Sequence, residues 1–299
     1  MERTIIEMQK LVWEKKEVRR EIQKQGINVI PANYYSSVPS IDEIEQSFEY
    51  QDGDPPYLNT IVFNADRLRE FLTMLIPFAA EFSPPSSGDE KTCSAFFWDN
   101  SQFTSCDAMA YYAFIRKMKP KHIVEIGSGF STLVAIEALK ANGTGRITCI
   151  EPFPRSFLME REDIDLRRIK AQDVTSDQLN SLLDDGDVLF IDSTHTVKTG
   201  SDCLHIYLRL LPAIRKNVYV HIHDIFLPFG LPQHWLLDLQ IYWTEQYLVA
   251  AWLQDNPKTK VLFGSMYHRH FNKGLMDDLI HGRYQMKGAS FWLEYRGAL

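Results

Sequence analysis

The chain has 299 residues, 45% of them apolar, and its 32 Lys and Arg against 39 Asp and Glu leave a formal charge of −7. That length holds one large α/β domain or two small ones, with a core that needs no disulfide or metal to form. The acidic balance argues against a partner gripped through phosphates, so neither nucleic acid nor an anionic membrane surface is expected, and apolar runs such as 71–80 fall short of the ~20 residues of a membrane span.

Residues 4–25 read as one amphipathic helix, with Ile5, Met8, Val12, Val18 and Ile22 near one face and Gly26 as its stop. The segment is charged through Arg20 and lacks the apolar centre of a secretory signal. A helix of this kind packs on the main domain or on a second copy of the chain, as a homo-oligomer contact. Residues 27–60, punctuated by Pro31, Pro39, Pro55 and Pro56, read as loops and short helices. Residues 64–82 return to a helix, with Leu68, Phe71, Leu72 and Leu75 on one face, and 83–88 read as a surface loop. Residues 1–105 are therefore expected to form an N-terminal helical and loop cap, and 106–299 the main domain.

From residue 106 onward helices alternate with apolar strands. A helix over 106–117 precedes a strand at 123–126. A helix over 131–140 leads to strands at 146–150, 168–171 and 187–192. A helix over 199–211, stopped by Pro212, precedes a strand at 217–223. A long helix over 236–253 is followed by strands at 260–263 and 290–295. This pattern predicts an α/β fold, a doubly wound and mostly parallel seven-stranded sheet covered on both faces, whose ligand lies beyond the carboxyl ends of the strands. Cys93, Cys106, Cys149 and Cys203 lie far apart with no C-x-x-C pair, as expected of reduced thiols in a cytoplasmic protein.

The first strand runs into Glu125-Ile126-Gly127-Ser128-Gly129-Phe130-Ser131-Thr132. Glycines at 127 and 129 let the backbone turn and approach a ligand, and the next helix aims its amide donors into the same space. A pyrophosphate cofactor is disfavoured, because Thr132 stands where a dinucleotide loop needs glycine and Glu125 is acidic. A cationic ligand such as S-adenosylmethionine suits the loop better. Glu151, 24 residues beyond Gly127 at the end of the second strand, is placed to accept from ribose hydroxyls. Asp173 stands either beside the adenine amino group or as a capping aspartate before Ser176.

The run 123–132 with Glu151 resembles the doubly wound S-adenosylmethionine-dependent methyltransferases, over roughly residues 106–295. The resemblance implies that Glu125, Gly127 and Gly129 line the methionine part and Glu151 the ribose, with Ser131 where that family often has a third glycine. Asp192 and Asp224 end the fourth and fifth strands. Two carboxylates converging on one crevice repel each other, which a divalent cation such as Mg2+, Mn2+ or Ca2+ relieves. This resembles the metal-dependent O-methyltransferases. The likeness implies a metal on Asp192 and Asp224 and a base at His195, three residues after the first aspartate. At the third ligand position of catechol-type enzymes this chain has Ile225. Either His223 takes that role or the metal is absent. The segments 223–228, 242–247, Tyr34-Tyr35-Ser36 and Trp98-Asp99-Asn100 with Asp107-Ala108 are similar to a bacterial group linked to sugar methylation. The expected activity is methyl transfer to a hydroxyl of a small molecule or glycan. The alternatives are a metal-dependent hydrolase using His221, His223 and Asp224, and a non-catalytic binding module. The segment 226–235 is either ordinary packing or a lid.

Overall fold

The structure, a computed structural model, describes residues 2–282 and 285–297. The chain falls into two compact units, Met1–Asp52 with Pro232–Tyr242, and Gly53–Leu231 with Trp243–Leu299. In the smaller unit the helix expected over 4–25 is two, Glu2–Val12 and Lys16–Lys24, and neither buries a residue. The step from Val12 to Val18 is out of phase with one helical stripe, and the break between the helices falls there. The short helix Ile41–Glu45, started by a Ser40–Glu43 capping box, packs on Gln233–Leu237 and buries Ile44.

The larger unit is built on strands β1 (His122–Ile126), β2 (Arg146–Ile150), β3 (Asp165–Arg167), β4 (Val188–Ile191), β5 (Val218–Ile222), β6 (Thr259–Gly264) and β7 (Phe291–Tyr295). They form one seven-stranded sheet in the order β3-β2-β1-β4-β5-β7-β6. β1 to β5 run parallel, and β7 lies antiparallel between β5 and β6. The expected doubly wound, mostly parallel sheet is the fold observed.

Strand alternation divides the core into two layers. Ile123, Val188 and Phe190 join helices Ala65–Ala79, Ser105–Met118 and Phe130–Asn142 on one face. Val124, Leu189 and Val220 join Ser176–Leu182, residues 202–213 and Glu245–Leu253 on the other. Helix Ser105–Met118 is buried from Cys106 to Ile115, with Ala65–Ala79 packed along it. Phe71, Leu72, Phe82, Phe96, Phe97 and Phe103 are buried in the same cluster. The expected boundary at residue 105 therefore lies inside the larger unit, which begins at Gly53.

Three elements differ from expectation. The third strand is Asp165–Arg167, paired with Thr148–Ile150, and Ala171–Asp173 is a tight 3-10 turn. The helix expected over 199–211 is the short turn Asp202–His205, then a π-helical turn Ile206–Leu210 and a 3-10 turn Leu211–Ala213. Pro212 fits the start of that last turn, where no amide donor is needed. The helix expected over 236–253 is broken into Gln233–Leu237 and Glu245–Leu253. At the break the Thr244 and Glu245 amides donate to the His195 carbonyl, at 2.9 and 3.0 Å. No disulfide joins the four cysteines. Among the described residues no helix is long and apolar enough to cross a membrane.

Candidate active site

A cavity of about 350 Å3 opens at the carboxyl ends of the central strands. Ser128, Gly129, Phe130, Ser131, Glu151 and Arg155 line it from the loops after β1 and β2. Asp192, Thr194, His195, His223, Asp224 and Trp243 line it from beyond β4 and β5.

The glycine loop is wedged between neighbouring strand ends. The Gly127 amide donates to Ile150 O at 3.0 Å, and the Asp192 amide to Ile126 O at 2.8 Å. Gly127 has φ +86°, and a Cβ there would lie 1.7 Å from the Asp192 carbonyl oxygen, so only glycine fits. Gly129 meets nothing within 4 Å and leaves its backbone open to the cavity. Glu151 steadies the loops by accepting from the amides of Ser128 at 3.3 Å and Phe153 at 2.7 Å.

Two histidines converge on the Asp192 and Asp224 carboxylates. His195 Nε2 lies 3.2 Å from Asp192 Oδ1 and 3.6 Å from Asp224 Oδ2. Its Nδ1 donates to Glu245 Oε2 at 2.7 Å, and Glu245 Oε1 accepts from the Tyr207 hydroxyl at 2.8 Å. The Trp243 ring stands over the imidazole, with centroids 4.3 Å apart. His223 Nδ1 lies 3.6 Å from Asp192 Oδ1 and 3.5 Å from Asp224 Oδ2. Its Nε2 faces Asp107 Oδ2 at 3.3 Å. Each imidazole therefore has a buried carboxylate behind it and the half-buried pair in front.

Charge follows from this arrangement. Burial disfavours the imidazolium of His195, but contacts with Asp192 and Glu245 outweigh it and raise the ring to about 10. Burial also opposes charge on His223, yet Asp224, Asp192 and Asp107 push it well above the ordinary value. Asp192 is held below the ordinary carboxylate range, because His223 and His195 more than offset its desolvation. Both His195 and Asp224 have φ of +56°, a costly conformation outside glycine that persists where surroundings over-determine it. Here Asp202 accepts from the Thr194 amide at 3.0 Å and its hydroxyl at 2.6 Å, clamping the loop that carries His195.

Residues 124–225 match the family model of the methyltransferase domain. The matched segment runs from within β1 to just beyond β5 and holds the glycine loop, Glu151, Asp192, His195 and Asp224. An uncharacterised protein of Archaeoglobus fulgidus is 31% identical over 132 residues, 43% of this chain and 60% of that protein, so the chain spans less than two thirds of that relative's length. A candidate O-methyltransferase from Klebsiella pneumoniae is similar in structure, with a TM-score of 0.40, 16% identity and coverage of 76% of this chain and 90% of that one. The plantazolicin methyltransferase BpumL, solved with a pentazolic desmethylPZN analog and SAH, has a TM-score of 0.40 and 12% identity over 77% of this chain and 99% of its own.

The sequence-predicted residues divide. Gly129, Ser131, Glu151, Asp192, His195, His223 and Asp224 come together around the cavity. Glu125 does not line it. Strand alternation sends its side chain to the face under helix Ser105–Met118, where it is fully buried and accepts from the Tyr111 hydroxyl at 3.1 Å and the Thr132 hydroxyl at 2.5 Å. Gly127 acts through backbone fit. Asp173 lies exposed on its 3-10 turn, outside the lining residues. His221 is fully buried, stacked on Trp292 and bonded to Ser290 Oγ at 2.9 Å, so a His221–His223–Asp224 ligand set is not assembled. In the segment 226–235, Phe226, Leu227 and Leu231 are buried in packing.

The residues fit a cation. Asp192, His223 and Asp224 each offer a ligand atom, and these lie within 4.8 Å of one another. Among the described residues neither ring nitrogen of buried His223 has a hydrogen-bond partner, and Nδ1 is aimed between the two carboxylates. Sequence reasoning gave no role to Asp107, Tyr207 or Glu245. Asp107 and Glu245 each stand in the first turn of a helix whose middle is apolar, the one local signal they carry.

Glu125 gives a stability prediction. Burial raises its carboxyl from the ordinary 4.5 to about 7, with the Thr132 and Tyr111 hydrogen bonds resisting. A raised carboxyl leaves stability unaffected below pH 4.5 and removes it as pH climbs from 4.5 to 7, since only the unfolded chain ionises freely there. At about 1.4 kcal/mol per pH unit the loss is about 3 kcal/mol. Urea unfolding at pH 5 and pH 8 should show this fall in the native chain and a flatter response in Glu125→Gln.

Proposed function

We propose that the chain is an S-adenosylmethionine-dependent methyltransferase that acts on a hydroxyl of a small molecule or glycan, assisted by a divalent ion on Asp192, His223 and Asp224. The observation that carries this reading is one cavity lined both by the glycine loop with Glu151 and by the aspartate–histidine cluster. S-adenosylmethionine supplies an electrophilic methyl on a sulfonium and leaves as a thioether. A divalent ion supplies Lewis acidity that makes a bound hydroxyl easier to deprotonate.

The chain's own residues do the rest. Gly129 leaves room for close approach of a ligand, and Glu151 offers a carboxylate to ribose hydroxyls. Glu245 orients His195 so that Nε2, not Nδ1, faces the cavity carboxylates. His195 rests protonated between those acids, so it accepts a proton only after positive charge has entered against Asp192 and Asp224. Trp243 and Phe103 exclude water beside the two imidazoles.

Calorimetric titration of S-adenosylhomocysteine is the test, with and without a divalent ion. Micromolar binding is expected, weakened by about 10-fold or more in Glu151→Ala, as for loss of hydrogen bonds to a charged group. No binding at millimolar ligand would sink the reading. Labelled methyl transfer to panels of glycans and phenols then identifies the acceptor.

A further inference from the structure

We propose that Asp192, His223 and Asp224 hold a first-row transition-metal ion in preference to magnesium or calcium, and that buried Asp107 secures this preference from behind His223. The inference deepens the metal-assisted reading above and rests on it.

His223 is 4% exposed, and among the described residues neither of its ring nitrogens has a hydrogen-bond partner, although two carboxylate oxygens stand 3.5 and 3.6 Å from Nδ1. An imidazole nitrogen left unmatched in a buried site is costly. Those distances suit two ligands sharing one ion better than a direct bond between them. Magnesium and calcium prefer oxygen ligands, whereas imidazole nitrogen favours the later ions from iron to zinc. Replacing an oxygen by His223 Nδ1 therefore changes the class of ion.

The other edge of the ring faces a carboxylate that is itself firmly held. Asp107 is 1% exposed, and its Oδ2 faces His223 Nε2 at 3.3 Å. Its Oδ1 accepts from the Ala289 amide at 3.0 Å and from Ser290 Oγ at 2.7 Å, and Oδ2 accepts from Thr104 Oγ1 at 2.6 Å. Gly288 leaves room for it, since a Cβ there would lie 2.6 Å from Oδ1. Phe103 stacks on the imidazole at 5.0 Å. A carboxylate fixed behind a histidine selects the tautomer whose front nitrogen carries a lone pair, and it makes that nitrogen a stronger ligand. Among the described residues His223 Nε2 has no hydrogen-bond partner, and Asp107 Oδ2 faces it at ion-pair distance, which makes Asp107 a positioning residue for the ion.

The test uses the full chain, stripped of metal and titrated with Co2+, Zn2+ and Mg2+ by calorimetry, with the visible spectrum of Co2+ as a second readout. Co2+ is expected to bind about 100-fold or more tightly than Mg2+. Asp107→Asn should weaken Co2+ by about 10- to 100-fold while changing Mg2+ less. His223→Gln should erase the preference and alter the Co2+ spectrum. A preference that His223→Gln leaves unchanged overturns the site, because it would come from surface histidines. Folded Asp107→Asn with Co2+ affinity within about twofold of native overturns the role of Asp107. If that variant does not fold, proton NMR of the Zn2+-loaded native chain decides. A downfield ring N–H that vanishes in His223→Gln supports the contact, and its absence overturns it. Titration of S-adenosylhomocysteine into the same samples separates the two readings. Cofactor binding without His223-dependent Co2+ binding removes the metal site alone, and the converse removes the methyltransferase reading alone.

Discussion

Replacing His195 by alanine is expected to lower methyl transfer by about 100-fold or more while leaving S-adenosylhomocysteine affinity within about threefold, as for loss of a general base. The expectation rests on position. His195 presents Nε2 at the cavity beside Asp192 and Asp224, and a buried hydrogen bond to Glu245 fixes which nitrogen faces in. The glycine loop and Glu151 belong to other strand ends and are untouched by the change. Turnover above about a third of native would leave the ring a purely structural role. Glu245→Gln adds a readout that structure alone would not move. The proton of His195 is held more tightly in the folded chain, from the ordinary 6.5 up to about 10, by Asp192 and Glu245 against the effect of burial. The stability this brings is fully present below pH 6.5 and is lost as pH climbs toward 10. With Gln at 245 the Tyr207 hydroxyl keeps an acceptor, but one carboxylate charge is gone. The ring of His195 should then titrate at lower pH by NMR, and the alkaline loss of stability, which still starts near pH 6.5, should be smaller and end at lower pH.

How much of this site could be read in the sequence depended on how local each signal was. Asp192 and Asp224 were legible because each follows an uninterrupted apolar strand, and parallel strands of one sheet end on the same side. The glycine loop was legible for the same reason. Glu125 was read at the right strand but with the wrong surroundings, since alternation turns it under helix Ser105–Met118 instead of over the strand end. Glu245 was hidden by a helical pattern that runs on through 236–253. The chain breaks there because Thr244 and Glu245 donate to the His195 carbonyl, a contact 50 residues away that no local periodicity carries. Asp107 was hidden likewise. Its partners Ser290 and Ala289 lie at the far end of the chain, and only the sheet brings them together. The third strand slipped because Asp165–Arg167 is short and half-exposed, so pairing with β2 outweighs hydrophobic pattern there.

The two glycines of the first loop are expected to fail in opposite ways. Gly127→Ala should destabilise the domain by about 3 kcal/mol or more, at the upper end of single substitutions, because no relaxation of a side chain can absorb it. The new Cβ would stand 1.7 Å from the Asp192 carbonyl oxygen, and φ is +86°. Both neighbours are backbone groups already committed to the sheet, Gly127 to Ile150 and Asp192 to Ile126. Relief requires β1 and β4 to part at their ends, which moves Asp192 away from His195 and His223. The variant should therefore lose divalent-ion binding together with stability. Gly129→Ala meets no atom within 4 Å, so the unfolding midpoint should change little. Its methyl group would instead project into the space the cofactor needs, and S-adenosylhomocysteine affinity should fall by about 10-fold, the scale of a steric clash in a close-packed site. Urea unfolding and calorimetry on the pair separate the two roles. Equal destabilisation by both would mean that the loop is strained throughout. A Gly127→Ala chain as stable as native would mean that the strand ends are free to part, and the proposed coupling between the glycine loop and Asp192 would fall with it.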